Sequence, residues 1–249
     1  MNHTDTTSRF AHFLTPIAYL QENYPAIPFV LGEVGSDLNP TPRVNDNALE
    51  AAFGSTLWTV DFMLYAMSKN VSAISMQQGT GFGYAAWQPI AYNGLGPHVR
   101  GPYYGLACVA DFIGTAAADL QVSNIDLSSA TLSAYAGYIA GRLAKVAIVN
   151  LAYYNASSSS SSSSSSEAAR PTQPVTFAVP AAVAAVRVDH LVGPDSSAPT
   201  GIYWAGVSWT IAALGRGTLV RNDTQTLDVV DGLVTLTLDA SEAVIVTML

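Results

Sequence analysis

The sequence predicts an α/β segment followed by an all-β region, with the change near residue 120. Three observations carry this. Apolar residues first recur at helical spacing and then in short runs, giving the order helix, strand, helix, strand, helix. From about Val122 onward only short strand-like runs remain, separated by turn signals such as Asp231-Gly232. The run Leu233-Val-Thr-Leu-Thr-Leu238 alternates apolar and polar residues, as a strand with one buried face does. Residues 121–249 therefore read as a β-sandwich.

The first helix is expected over Thr7–Asn23, where Phe10, Phe13, Leu14, Ile17, Ala18 and Leu20 form an apolar stripe that ends before Pro25. A strand follows over Ile27–Gly32. Asn45 or Asp46 can cap the next helix by accepting bonds from the free N–H groups of its first turn. That helix runs to about Asn70 and carries Leu49, Phe53, Leu57, Val60, Leu64 and Met67. Val71–Met76 reads as a second strand. A Gly-rich loop, Gln77–Gly101, then leads into an apolar helix over Pro102–Thr115. Strands separated by helices are parallel and buried on both faces. Two such strands do not make a stable sheet, so the unit belongs to a larger α/β layer or is the end of a barrel whose earlier strands are absent.

The β runs are expected at Leu132–Ile139, Lys145–Tyr153, Val175–Val179, Val183–Leu191, Ser208–Ala212, Thr218–Arg221, Thr226–Val230, Leu233–Leu238 and Ala243–Met248. Ser157–Ser166 is an unbroken serine run. It buries no surface, so it is expected to be a disordered insertion between strands.

Composition limits the function. Of 249 residues, 49% are hydrophobic, enough for a sizeable core, and only 11% are charged. The net charge of −8 argues against nucleic acid and anionic membranes, which need basic clusters. No apolar segment runs long enough to span a bilayer, and Ala48–Met67 is broken by Glu50 and Asp61, so no span is expected. Cys108 is the single cysteine and sits in an apolar run. His3, His12, His98 and His190 lack metal-ligand spacing, so neither a metal nor a cofactor is expected. Sequons at Asn2, Asn70, Asn155 and Asn222 point to secretion, although Met1–Ser8 has no apolar signal core.

The candidate for chemistry is Glu33, at the end of the run Ile27-Pro-Phe-Val-Leu-Gly-Glu33. A buried, unpaired carboxylate is costly, so an acid at a strand end sits at a cleft, where barrel enzymes do their chemistry, or else caps a turn or meets an Arg. Residue pattern alone leaves both readings open.

The strand ending Gly-Glu33, the strand ending Met76-Gln-Gln78, the loop Gly79-Thr-Gly-Phe-Gly-Tyr84 with Trp87-Gln-Pro89, and the terminal Asp231-Gly-Leu-Val-Thr-Leu and Ala240-Ser-Glu-Ala-Val-Ile-Val246 together resemble the C-terminal half of fungal glycoside hydrolase family 79, the β-glucuronidase-like enzymes related to heparanase. The resemblance covers about residues 9–249. It implies that residues 1–120 are the last two units of a (β/α)8 TIM barrel, that a β-sandwich follows over 121–249, and that the enzyme is an extracellular retaining glycosidase. In that family the nucleophile falls on Glu33. The uronic carboxylate is recognised through a tyrosine hydroxyl and main-chain N–H groups, which fall on Tyr84 and Gly83. Trp87 can stack on a sugar face, and Asp37 lies near enough in sequence to enter the site. The implied partner is a carbohydrate containing glucuronic acid. The family's acid/base strand is not in these residues, so this chain alone is expected to be inactive. The alternative is a non-catalytic carbohydrate-binding or structural β-module with a remnant barrel. Glu22, Glu50, Glu167 and Glu242 are expected to be solvated charges, and His98 and Arg100 surface residues.

Overall fold

In the computed structural model, helix α1 spans His3–Asn23 and begins a turn before Thr7, because the Asn2 side chain accepts the Thr4 N–H at 2.8 Å. The structure describes residues 1–36, 49–116, 118–156 and 169–249. Asp37, Asn45, Asp46, Glu167 and the serine run lie outside the described residues. Thr6, Phe10 and Ile17 form the buried stripe of α1.

Strand β1 (Phe29–Val34) pairs in parallel with β2 (Val71–Met76), and helix α2 (Phe53–Ser68) connects them. The strand therefore runs through Glu33 instead of stopping at Gly32. Leu31 pairs with Ile74 and Val34 with Met76, so three steps on β1 match two on β2. Gly32 and Glu33 occupy that bulge, which re-aims the side chains around it.

α2 starts at Phe53, later than its apolar pattern suggests. Its first donors are answered from far along the chain: Phe53 N–H bonds Ala198 O at 2.9 Å and Gly54 N–H bonds Ser196 O at 2.8 Å. The helix is apolar on nearly every side because it is buried on nearly every side, as its position demands. Helix α3 (Gly101–Ile113) packs against it closely. A Cβ at Gly105 would lie 2.6 Å from Thr56 O, so glycine is needed at this crossing. Cys108, on α3, is buried, and burial pushes its thiol pKa well up. A short hairpin, β3 (Trp87–Gln88) with β4 (His98–Val99), interrupts the Gly-rich loop.

The remaining strands are β5 (Leu120–Ile125), β6 (Leu132–Ile139), β7 (Arg142–Asn150), β8 (Thr172–Ala178), β9 (Ala185–Val192), β10 (Tyr203–Trp204), β11 (Val207–Trp209), β12 (Gly217–Leu219), β13 (Thr224–Asp228), β14 (Leu233–Asp239) and β15 (Glu242–Met248). The main sheet has the order β12-β11-β10-β9-β15-β7-β6-β5, with β13 also on β9. β8 and β14 form a second, two-stranded sheet. The run expected to be a strand over Ser208–Ala212 ends at Trp209, and a turn occupies 211–215. The architecture is mostly β, with three α-helices among the described residues.

The main sheet is covered on both faces, and the strand period of two sorts its residues. On β7 and β15, Val146, Ile148, Val244 and Val246 face the β8–β14 sheet, in a core with Val234, Leu236 and Leu238. Their neighbours Ala147, Val149, Ala243 and Ile245 join the other core, with Phe53, Leu57, Leu64 and Phe112 of the helices. That second core crosses residue 120. On β14 the exposed and buried positions alternate strictly, as the run Leu233–Leu238 predicted.

Polar staples tie the layers together. Tyr135 of β6 donates to Asp61 Oδ1 of α2 at 2.6 Å and to its carbonyl at 3.0 Å, and His3 Nδ1 lies 2.9 Å from the same Oδ1. Burial alone would raise the Asp61 pKa. The bond and attraction of His3, with the Ser133 and Tyr135 hydroxyls, outweigh it and hold the carboxyl below its usual value. Burial and the facing carboxylate push the Tyr135 phenol well up. Trp204 Nε1 bonds Asp111 Oδ2 at 2.5 Å. Glu242 is not a solvated charge. It is 6% exposed, accepts the Asp239 N–H at 2.6 Å, and lies 2.6 Å from His190 Nδ1.

Candidate active site

Glu33 is exposed at the C-terminal end of β1. Its bulge places it on a groove of about 830 Å³, lined also by Arg9 and His12 of α1 and by Trp58 and Phe62 of α2. Arg9 and His12 stand three residues apart on one helix, so they share a face. That spacing was the available signal for them, and composition-based reading passed over it. Trp58 and Phe62 stack with centroids 5.1 Å apart, which stiffens that wall.

The Gly-rich loop meets the same strand end. Gln77 N–H bonds Val34 O at 2.8 Å, and the Tyr84 ring packs on Gly35, where a Cβ would lie 3.0 Å from Tyr84 Cε2. Tyr84 thus reaches the chain two residues beyond Glu33. Its hydroxyl donates to Gln77 Oε1. Phe82 stacks on Tyr84 with centroids 5.4 Å apart, and Gly79 lies so close beneath Phe82 that a Cβ there would come within 2.5 Å of the ring. Gly81 has φ +88°, a conformation that L side chains rarely adopt. Gly83 is buried within the loop. Trp87 is 38% exposed and packs edge-on against Tyr103 of α3. The structure brings the Tyr84 ring to the strand end that bears Glu33, buries Gly83 in the loop, and sets Trp87 against Tyr103 of α3. Asp37 lies outside the described residues.

The loop is fixed by a buried polar hub. Arg100, expected at the surface, is 2% exposed. Its guanidinium donates to Phe82 O at 2.8 Å and to Gln88 Oε1 at 2.7 Å. Gln88 in turn donates to Leu95 O at 3.1 Å, and Gln78 Oε1 accepts the Ala86 N–H at 2.8 Å. A chain this poor in Arg spends one on loop carbonyls, because a buried guanidinium is tolerated only where its donors are met. This arrangement fixes the loop beside the strand end and offers an exposed carboxylate there as a nucleophile or base.

Residues 134–245 match the family described as the glycosyl hydrolase family 79 C-terminal beta domain. The chain carries a family 79 C-terminal domain. The family 79 match runs from within β6 to within β15, so it takes in the β8–β14 sheet and every strand of the main sheet except β5. Beyond the domain, a β-glucuronidase of Aspergillus niger is 33% identical over 258 residues, an alignment taking in 100% of this chain and 47% of that protein. A Neurospora crassa β-glucuronidase is 33% identical over 251 residues, covering 91% of this chain and 44% of that protein. The chain spans about half the length of these relatives. Among solved structures, a 4-O-α-L-rhamnosyl-β-D-glucuronidase from Fusarium oxysporum in complex with Rha-GlcA superposes with TM-score 0.74 at 21% identity, over 99% of this chain and 48% of that one. A family 44 endoglucanase from Clostridium thermocellum gives TM-score 0.51 at 11% identity, over 94% of this chain and 34% of that one. At these identities the structural likeness shows a shared fold.

Proposed function

We propose that this chain forms part of a retaining glycosidase acting on β-glucuronides, with Glu33 as the nucleophile. One observation carries the reading: an exposed carboxylate, re-aimed by a bulge, stands at the C-terminal end of a parallel strand beside a fixed Gly-rich loop. That end of a parallel α/β barrel is where active sites are built. On this reading residues 1–120 close a (β/α)8 barrel, β1 and β2 are its last two strands, and residues 121–249 are the appended β-sandwich. The likeness of the chain to fungal β-glucuronidases supports the substrate class.

In the mechanism, the Glu33 carboxylate attacks the anomeric carbon while a second carboxyl group protonates the leaving oxygen. The two stand about 5–5.5 Å apart across the bond. That acid/base comes from polypeptide beyond these 249 residues. Water, deprotonated by the same acid/base, then releases the sugar from Glu33. Trp87 stacks on a sugar face, and Asp37, four residues after Glu33 in the sequence, is assigned to substrate binding from the sequence alone. The uronic carboxylate lies on the Tyr84 hydroxyl and the Gly83 N–H. This recognition needs the phenol proton, which Gln77 Oε1 now accepts. Turning the Gln77 amide so that its NH2 donates to Tyr84 releases that proton to the substrate. Neutral donors can bind a carboxylate where several converge in a concave site, and with a net charge of −8 on the protein that recognition has to be local.

The exposed sequons at Asn70 and Asn222 support an extracellular glycoprotein. No described helix is long and apolar enough to cross a membrane.

The test is the complete gene product assayed on an aryl β-glucuronide. Glu33→Gln should lose several orders of magnitude in kcat. Glu33→Ala with sodium azide should recover turnover and yield the α-linked glycosyl azide. Turnover of Glu33→Gln at the wild-type rate refutes the assignment.

A further inference from the structure

A second groove, of about 370 Å³, opens where the β3–β4 hairpin and α3 meet the β10–β11 region. That volume is within the range of small-ligand sites. None of its described lining residues lines the Glu33 groove. We propose that it is a second carbohydrate-binding site, taking one neutral pyranose unit of a polysaccharide.

The chemistry of the walls argues for that ligand. Tyr203 and Trp209 supply aromatic surface, with the buried Tyr104 behind them, and Thr200, Ser208 and Thr210 supply hydroxyls. The described lining includes no Asp, Glu, Lys or Arg, and His98 is its one imidazole. An ionic ligand finds no counter-charge on these walls, since the nearby Arg221 is already paired with Asp223 Oδ1 at 2.7 Å, and a purely apolar ligand would strip water from the hydroxyls without replacing their bonds. A pyranose presents C–H groups to an aromatic face and hydroxyls at its edge, so it satisfies both kinds of wall.

The platform is held in place before any ligand arrives. Trp209 packs edge-on against Tyr104, with centroids 5.4 Å apart, and against Tyr103 at 5.7 Å. The Tyr104 hydroxyl accepts the Trp209 N–H at 3.2 Å. The Arg221 guanidinium lies 5.3 Å from the Tyr203 ring centroid. A rigid aromatic wall loses little freedom on binding. The groove is also continuous with the loop that bears Tyr84. Trp87 contacts Tyr103 at 6.3 Å, and Tyr103 contacts Trp209, so an aromatic run leads from that loop to the groove. A polysaccharide held here would lie along that run.

The binding does not depend on hydrolysis, and the test keeps the two apart. Xylohexaose, which contains no glucuronosyl group, is titrated into the complete protein by calorimetry and by ligand-observed NMR. Wild type and Glu33→Gln should bind it equally. Ile211→Arg, at the exposed mouth of the groove, should weaken binding at least about tenfold, with the melting temperature of wild type. Trp209→Phe should retain part of the affinity and Trp209→Ala lose it. No detectable binding by wild type, or binding untouched by Ile211→Arg, overturns the proposal.

Discussion

Replacing Tyr135 by Phe removes one oxygen from the interior and tests the staple that joins the main sheet to α2. The hydroxyl makes two bonds to Asp61, at 2.6 Å to the carboxylate and 3.0 Å to the carbonyl. The side chain is among the largest fully buried ones, so no water replaces the lost donor. A hydrogen bond to a charged group contributes about 1.5–3 kcal/mol. For a chain of this size each kcal/mol moves the melting temperature by about 2–4 °C. The variant should therefore melt about 3–12 °C below wild type at neutral pH, followed by circular dichroism at 222 nm. The acid limb gives an independent check. The folded-state pKa of Asp61 is lowered, so its stabilisation is present above the unfolded value and is lost as pH falls through the folded value. Without the Tyr135 hydroxyl one lowering cause is gone and the folded pKa rises toward the unfolded value, so the stability lost on acidification should be smaller and should level off at a higher pH than in wild type. A variant with wild-type melting temperature and an unmoved acid limb would show that the staple contributes nothing.

Two further perturbations address the loop and the helix crossing. Arg100→Met removes the donors to Phe82 O and Gln88 Oε1, so hydrogen exchange should accelerate across 82–96 while the β15 amides stay protected. Uniform protection in the variant would deny the hub its role. Gly105→Ala places a Cβ 2.6 Å from Thr56 O and should cost about 1–3 kcal/mol in denaturant unfolding, through forced separation of α2 and α3. Unchanged unfolding would mean the crossing is looser than described.

The strands with one solvated face were readable, because alternation is visible in the text. Leu233–Leu238 shows it, and β14 alternates in burial as written. α1 was legible from its stripe, but its start was not, since Asn2 caps it from outside the apolar pattern. The start of α2 was hidden for a different reason: its cap comes from Ser196 and Ala198, far along the chain. Local propensity carries no trace of such a partner. Glu33 and Tyr84 were singled out through motif order, and the structure sets the Tyr84 ring on Gly35, two residues past Glu33. The burial of Arg100 and Glu242 was not legible. Charge is written in the sequence, but the carbonyls and amides that satisfy it belong to the folded backbone.

The doubly covered main sheet has a consequence for how its pairing is specified. In a sheet with one wet face, sliding a strand by one residue drives polar groups inward, and that cost enforces register. Along Ala243-Val-Ile-Val246 such a slide would only trade one apolar residue for another, so hydrophobicity cannot tell the two alignments apart. The choice falls to a few polar pins, Glu242 with His190, Tyr135 with Asp61 and Trp204 with Asp111, which match at one alignment alone. These pairs act as the notches of a key. Cutting them should show up as mispaired, aggregating strands before it shows up as a smaller core.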